Sequence, residues 1–317
     1  PTKGNAQDIN DTLPVISMQE AVNLAKENYP LLKQKQLEIN KQEQLKNTAY
    51  DFGTTQIFTG GEEVNNGNGI YTTIGIGQNN IDVFGISVKK HLQKQRIQLA
   101  QKAFILSELD LELEVKKAWA NALQSKRNYH LYKELDSIFS TFEKAVALNY
   151  EVEAISKLEY SAAKTQVLKI KNKLMQSKRE FRIALQQLNL WLVTNTFYTF
   201  PNNFEISPDI DIADFNPEKH PLYALAQSQF AEAEANYKAA KADNLPKLNL
   251  QGGLQKVNGN SGFYTYQAGI SIPFLSGTNK AKVKTARIDK EIADTNIQFK
   301  KQEVQSKFKQ SKENYCL

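Results

Sequence analysis

Between residues 86 and 200 the chain contains no glycine and no proline, and its apolar residues recur at helical spacing. Leu92, Leu99, Leu106 and Leu113 form one heptad series; Ile97, Phe104, Leu111 and Ala118 form a second, continued by Tyr132, Phe139 and Val146. At about 100° per residue, the offset between the series puts them about 140° apart around a helix. A single helix over residues 86–148 therefore carries two seams and can pack a neighbour on each side, like a stave in a barrel. With a rise of ~1.5 Å per residue it is ~90 Å long. Val167, Leu174, Phe181 and Leu188, with Ile170, Ser177, Ala184 and Trp191 three residues later, make a coiled-coil seam in a second helix. The two heptad frames do not join around residues 149–156, which predicts a tight turn between antiparallel helices.

Elsewhere the period changes to two. Over residues 54–64 and 70–84 the chain alternates, with Ile70, Thr72, Ile74 and Ile76 on one face and Tyr71, Thr73, Gly75 and Gly77 on the other. The turn Asn65-Asn66-Gly67-Asn68-Gly69 joins the two strands into a hairpin. Ahead of it, Ser17 and Glu20 form the signature of a capping box that opens a helix. Pro30 suits the first turn of a second helix, a polar one over residues 31–50 with an apolar stripe of Leu37, Leu45 and Ala49. After residue 200 come Pro201, Pro208 and Pro217 and the acidic run Asp209-Ile210-Asp211-Ile212-Ala213-Asp214, a connector.

The second half echoes the first. Glu218-Lys219-His220-Pro221-Leu222 follows the pattern of Glu27-Asn28-Tyr29-Pro30-Leu31, and an alanine-rich helix over residues 222–244 precedes a strand entered at Leu245-Pro246-Lys247-Leu248. Val64-Asn65, Gly69, Tyr71 and Thr72 reappear 193 residues later as Val257-Asn258, Gly262, Tyr264 and Thr265, an internal repeat. The next strand sets Tyr264, Tyr266, Ala268, Ile270, Ile272 and Phe274 against Thr265, Gln267, Gly269 and Ser271. From Lys280 onward the pattern is helical again.

Alternation over about ten residues, with tyrosines at one end and a phenylalanine at the other, fits a membrane-barrel strand. A single strand of this kind taken alone fits a soluble core better. The repeat shifts the balance, because each hairpin leads into a long polar helix that cannot pack compactly over it. On this reading Ile74, Ile76, Tyr264, Tyr266, Ile270, Ile272 and Phe274 face lipid, and Thr73, Thr265, Gln267 and Ser271 face a lumen. Four strands cannot close a barrel, and an open edge in lipid leaves backbone groups unpaired. Several copies must share one barrel, and twelve strands from a trimer would close it.

Composition narrows the function without naming it. The net charge is +6, from 40 basic and 34 acidic residues. The lysines alternate with acids along the helices, as on a solvated face, and do not cluster with aromatics as a nucleic-acid surface would. No apolar run is long enough for a transmembrane helix. Pro1-Thr2-Lys3-Gly4-Asn5-Ala6 has no signal-peptide core. Cys316 is the lone cysteine, so no intrachain disulfide can form. His91, His130 and His220 are isolated, no metal-ligand spacing occurs, and neither a phosphate loop nor a nucleophile elbow is present. The chain is read as no enzyme, with no cofactor.

The ordered set Asn28-Tyr29-Pro30-Leu31, Leu188-Asn189-Leu190-Trp191-Leu192, His220-Pro221-Leu222, Leu245-Pro246-Lys247-Leu248 and Ile272-Pro273-Phe274-Leu275-Ser276-Gly277 resembles the TolC outer-membrane efflux family over essentially the whole chain, and is similar to its heavy-metal efflux branch. The resemblance implies an α+β membrane protein. Long antiparallel α-helices form a coiled-coil tube, and β-hairpins complete a shared trimeric transmembrane β-barrel with an internal two-fold repeat. It further implies a homotrimer in the outer membrane of a Gram-negative-type bacterium. A periplasmic helical extension would dock onto a periplasmic adaptor and an inner-membrane efflux pump, as a passive exit duct for small molecules or metal ions.

In that family the turn between the long helices faces the adaptor, which assigns Tyr150, Glu151, Glu153 and Ser156 to that contact. The family's tip glycine is here Ala154 and its arginine Asn149. The expected organisation is a flexible segment at residues 1–13, a first repeat at 14–200, a connector at 201–217, and a second repeat at 218–317 that stops before its last helix. The rival reading is a soluble coiled-coil scaffold, which explains the heptads but not two matching hairpins.

Overall fold

The computed structural model describes residues 13–64, 69–201, 215–273 and 277–315. The expected N-terminal segment up to residue 12, the first hairpin turn at residues 65–68, the acidic run of the connector, Phe274 and Cys316 lie outside the described residues. Helices α1 (Met18–Asn28) and α2 (Pro30–Gln44) lead into strands β1 (Thr54–Val64) and β2 (Gly69–Ile81). Helices α3 (Ile86–Glu151) and α4 (Lys157–Leu192) follow, then α5 (Pro221–Ala242), β3 (Lys247–Val257), β4 (Asn260–Ser271) and α6 (Gly277–Tyr315). The chain divides into two compact units, one of residues 1–33 and 107–210, the other of residues 34–106 and 211–317.

In the first unit, α1 starts as its sequence requires. The Ser17 hydroxyl accepts from the Glu20 N–H at 3.2 Å while the Glu20 carboxylate accepts from the Ser17 N–H at 2.8 Å, so two N–H groups that the helix leaves unpaired are satisfied. The α4 seam is buried at Val167, Ser177, Phe181, Ala184 and Leu188. The α3 seam departs from the heptad expectation. Leu92, Leu111 and Val146 of the two series are buried, but Leu113 is exposed, and from Leu111 burial passes through Val115, Trp119 and Ala122. Spacings of four, four and three follow a straight helix rather than a supercoiled one. Trp119 is fully buried against Phe200 with ring centroids 5.5 Å apart at 86°. Its indole N–H donates to the Ile16 carbonyl at 3.1 Å, and a bridge between Val15 and Thr199 lies beside it. Tyr129 stacks on Phe181 between α3 and α4, and Lys171 pairs with Glu143 at 2.9 Å.

In the second unit, of the stripe expected on α2, Ala49 is buried and Leu45 half-buried within a 3-10 turn over Leu45–Ala49, but Leu37 is exposed and the helix itself buries Leu32 and Ile39. An i,i+7 pair keeps one side of this polar helix facing inward, and Leu37 falls off that line. The alanine side of α5 packs on the start of α3, with Ala235 and Ala239 against Leu92. Small side chains let the two backbones approach closely. Helices α5 and α6 are tied by Lys290–Glu234 at 3.3 Å, and Phe215 stacks on Phe308 at 3.9 Å.

The strands form one antiparallel sheet in the order β1-β2-β3-β4, so the two hairpins join through β2 and β3, and β1 and β4 are its edges. Strand β2 ends at Ile81, three residues before the expected limit, after an irregularity between Gln78 and Ile81 where Asn80 takes φ 60°. At Gly53, φ is +71° and a Cβ would run into the Asn79 carbonyl, which restricts this entry to the sheet to glycine.

Candidate functional site

Strand alternation gives the sheet two chemically different faces. Register sets Ile74 beside Leu254, itself beside Tyr264, and Ile76 in line with Ile57 and, across Gly252, with Tyr266. Ile270 sits opposite Leu248. Five residues expected to face lipid (Ile74, Ile76, Tyr264, Tyr266 and Ile270) thus share one face, each between 59% and 91% exposed. The face also includes Ile57, Leu250 and Leu254, all exposed, which the sequence reading left out. Their period-two spacing was visible in β1 and β3 but is interrupted by glycines. Ile272 lies past the end of β4 and is exposed.

The opposite face carries Thr73, Thr265, Gln267 and Ser271, joined by Asn79, Asn249, Gln251 and Gln255. Two hollows of about 370 and 410 Å³ are lined there by Thr73, Gln251, Thr265 and Gln267 and by Asn79, Asn249, Gln267 and Ser271. Amide side chains bridge neighbouring strands across it. Asn79 Nδ2 donates to Gln56 Oε1 at 2.8 Å, Gln251 Nε2 to Asn79 Oδ1 at 3.4 Å, and Asn249 Nδ2 to the Ser271 hydroxyl at 2.7 Å. This surface offers mostly amide and hydroxyl donors and acceptors, with the Glu62 carboxylate lining one hollow. Among the described residues no group of His, Cys, Asp and Glu could hold a metal ion, and no helix is long and apolar enough to cross a membrane.

At the helical end of the sheet, the Lys89 ammonium lies 2.6 Å from Asp82 Oδ2 and 3.6 Å from both Asp51 and Asp243. Asp82 is fully buried and its other oxygen accepts from the Gly85 N–H at 2.7 Å. Burial pulls the Asp82 carboxyl upward, but the Lys89 hydrogen bond and the Gly85 N–H outweigh it and hold the group below the ordinary carboxylate value. Burial lowers Lys89, yet Asp82 above all raises it past the ordinary lysine value. The depressed Asp82 therefore contributes stability that is present above its unfolded value and lost as pH falls through its folded one. Thermal melts taken from neutral pH down to about pH 3 should show a steeper acid loss in the native protein than in Asp82→Asn. Equal slopes would mean that the pair is not coupled to folding.

In the first unit, the residues expected at the tip meet at the α3–α4 turn. Tyr150 and Glu151 end α3; the Glu153 N–H donates to the Tyr150 carbonyl at 3.1 Å and the Ala154 N–H to Asn149 at 2.8 Å. Glu153, not Ala154, occupies the left-handed position, with φ 58°. Ser156 caps α4 by a reciprocal box with Glu159, so its hydroxyl is engaged within the turn. Tyr150 stacks on Tyr160 at 4.6 Å and 17°, which leaves Val152 and Leu158 as the most exposed apolar side chains of the turn.

No protein-family model matches the chain, and no curated protein matches it. Solved structures do. A membrane protein from Pseudomonas aeruginosa superposes with a TM-score of 0.75 at 17% identity, over 94% of this chain and 73% of that one. CusC, solved in work on its folding and transmembrane channel formation, gives 0.71 at 17% identity, over 96% and 77%. The outer-membrane channel OprN gives 0.75 at 13% identity, over 94% and 73%. The chain therefore has the fold of outer-membrane channels of the TolC type.

Proposed function

We propose that this chain is the outer-membrane channel component of a tripartite efflux system, a passive exit duct for small molecules or metal ions driven by an inner-membrane pump. The observation that carries the reading is the two-faced sheet. One face presents exposed Ile, Leu and Tyr side chains, and the hollow face is mainly amide and hydroxyl. An apolar field of this kind on a soluble protein would drive aggregation unless it were an interaction surface; against hydrocarbon it is the required surface. Edges β1 and β4 carry unpaired backbone groups, which lipid does not tolerate, so β4 of one copy pairs with β1 of the next. Three copies close twelve strands.

The recurrence of helix, hairpin and long helix in both halves supports an internal two-fold repeat of one ancestral unit. Residues 14–200 and 218–317 would be its two copies, with a connector between them. The α3–α4 turn, through Tyr150, Glu151 and Glu153, would meet a periplasmic adaptor, and gating would be a shift of the turn helices. No residue acts as acid, base or nucleophile in such a duct. The test is single-channel recording in planar bilayers on the native protein extracted in detergent. Long-lived conductance steps are the expected result. A monodisperse protein that needs no detergent and conducts nothing would overturn the reading in favour of a soluble coiled-coil scaffold.

A further inference from the structure

Both helices that leave the sheet begin with the wrong charge for a helix N-terminus. Over residues 86–107, α3 carries Lys89, Lys90, Lys94, Arg96 and Lys102 and no acid. Over residues 277–288, α6 carries Lys280, Lys282, Lys284 and Arg287 and no acid. The N-terminal end of the helix dipole is positive, so cations there are disfavoured, and the same departure at two separate helices points to a use. Asp51, Asp82 and Asp243 all converge on Lys89, and Asp289 lines a crevice beside them. Among the described residues, Lys280, Lys282 and Lys284 have no carboxylate partner, and all three are exposed. Lys282 shares that crevice with Thr48, Lys89, Asp243 and Asp289, which places the start of α6 beside the start of α3 and the residues leading into β1 and β3.

The same end of the sheet is rimmed by apolar and aromatic side chains in the open. Tyr50, Phe52, Val83 and Phe84 are each 45–60% exposed. Tyr50 stacks on Phe52 at 6.5 Å, and the Lys90 ammonium sits 4.2 Å above the Tyr50 ring. This rim continues the apolar face of the strands, with lysines immediately beyond it. Hydrocarbon-facing strands, then aromatic rings, then cations is the order of chemistry that a bilayer presents through its acyl chains, interface and headgroups. From this juxtaposition we infer that the strand–helix junction binds the headgroups of anionic phospholipids, with Lys280, Lys282 and Lys284 as the main charges and Lys90 on Tyr50 as an interfacial anchor. The inference rests on the channel reading and adds to it a lipid preference at one rim of the barrel.

Native mass spectrometry of the detergent-extracted protein, offered equal amounts of phosphatidylglycerol and phosphatidylcholine, tests it. A cation near an anionic surface favours binding by about fivefold, so the native protein should retain phosphatidylglycerol over phosphatidylcholine by about tenfold or more. A Lys280→Gln, Lys282→Gln, Lys284→Gln variant should fall to near parity. A variant with the same charge change on α4, Lys164→Gln, Lys169→Gln, Lys173→Gln, should keep the native preference. Equal retention of both lipids by the native protein would overturn the inference and leave the channel reading standing. So would loss of preference in the α4 variant, which would reduce the effect to net charge. A protein that carries neither lipid and stays monodisperse without detergent would remove the channel reading itself.

Discussion

Ile74→Arg should keep the protein out of the membrane, while Thr73→Arg, one residue earlier on the same strand, should leave insertion intact. The two positions are adjacent on one strand and differ in the face they occupy. Ile74 stands in the exposed row with Leu254 and Tyr264; Thr73 opens onto the hollow lined by Gln251 and Thr265. An arginine on the lipid face near the bilayer midplane costs about 2–4 kcal/mol, which is ~30-fold or more in the inserted fraction of each copy. On the hollow face the guanidinium stays hydrated among amides. Flotation of refolded protein with phospholipid vesicles, followed by a urea wash, reads the difference. Equal behaviour of the two variants would contradict the assignment of faces.

Trp119→Ala should be the most damaging single truncation in the first unit. The ring is fully buried on Phe200 and its N–H is bonded to Ile16. The alanine would leave a cavity the size of an indole and an unpaired carbonyl, for a loss of about 3–5 kcal/mol. Trp119→Phe keeps most of the volume and loses the hydrogen bond, so about 1–2 kcal/mol is expected. Heat denaturation followed by tryptophan-independent circular dichroism orders the three proteins. A Trp119→Ala protein that melts with the native one would show that this junction contributes nothing to the fold.

The elements were legible in the chain because their causes are local. Absence of glycine and proline over residues 86–200 leaves little besides helix, and the two reciprocal boxes at Ser17–Glu20 and Ser156–Glu159 mark helix starts through contacts three residues apart. Alternation at Ile70, Thr72, Ile74 and Ile76 dictates that whatever the strand faces, its two sides differ. The α4 heptads Val167, Phe181 and Leu188 came out buried for the same reason: one rigid helix carries one apolar line.

What the chain alone left undecided concerns partners distant in sequence. A heptad count on α3 favours Leu113, yet Val115 and Trp119 are the buried residues, because the surface that covers them comes from Ile16 and Phe200, about a hundred residues to one side and eighty to the other. Lys89 looked like one lysine among many. Only folding brings Asp51, Asp82 and Asp243 around it and desolvates Asp82, which turns an ordinary surface charge into a buried ion pair. Alternation likewise separates two faces of a strand but does not say which way the sheet curls. Only the assembled sheet, with β2 paired to β3, puts hollows on the amide face. Periodicity is written residue by residue, whereas burial and curvature depend on which distant surface arrives, and that is a property of the folded chain.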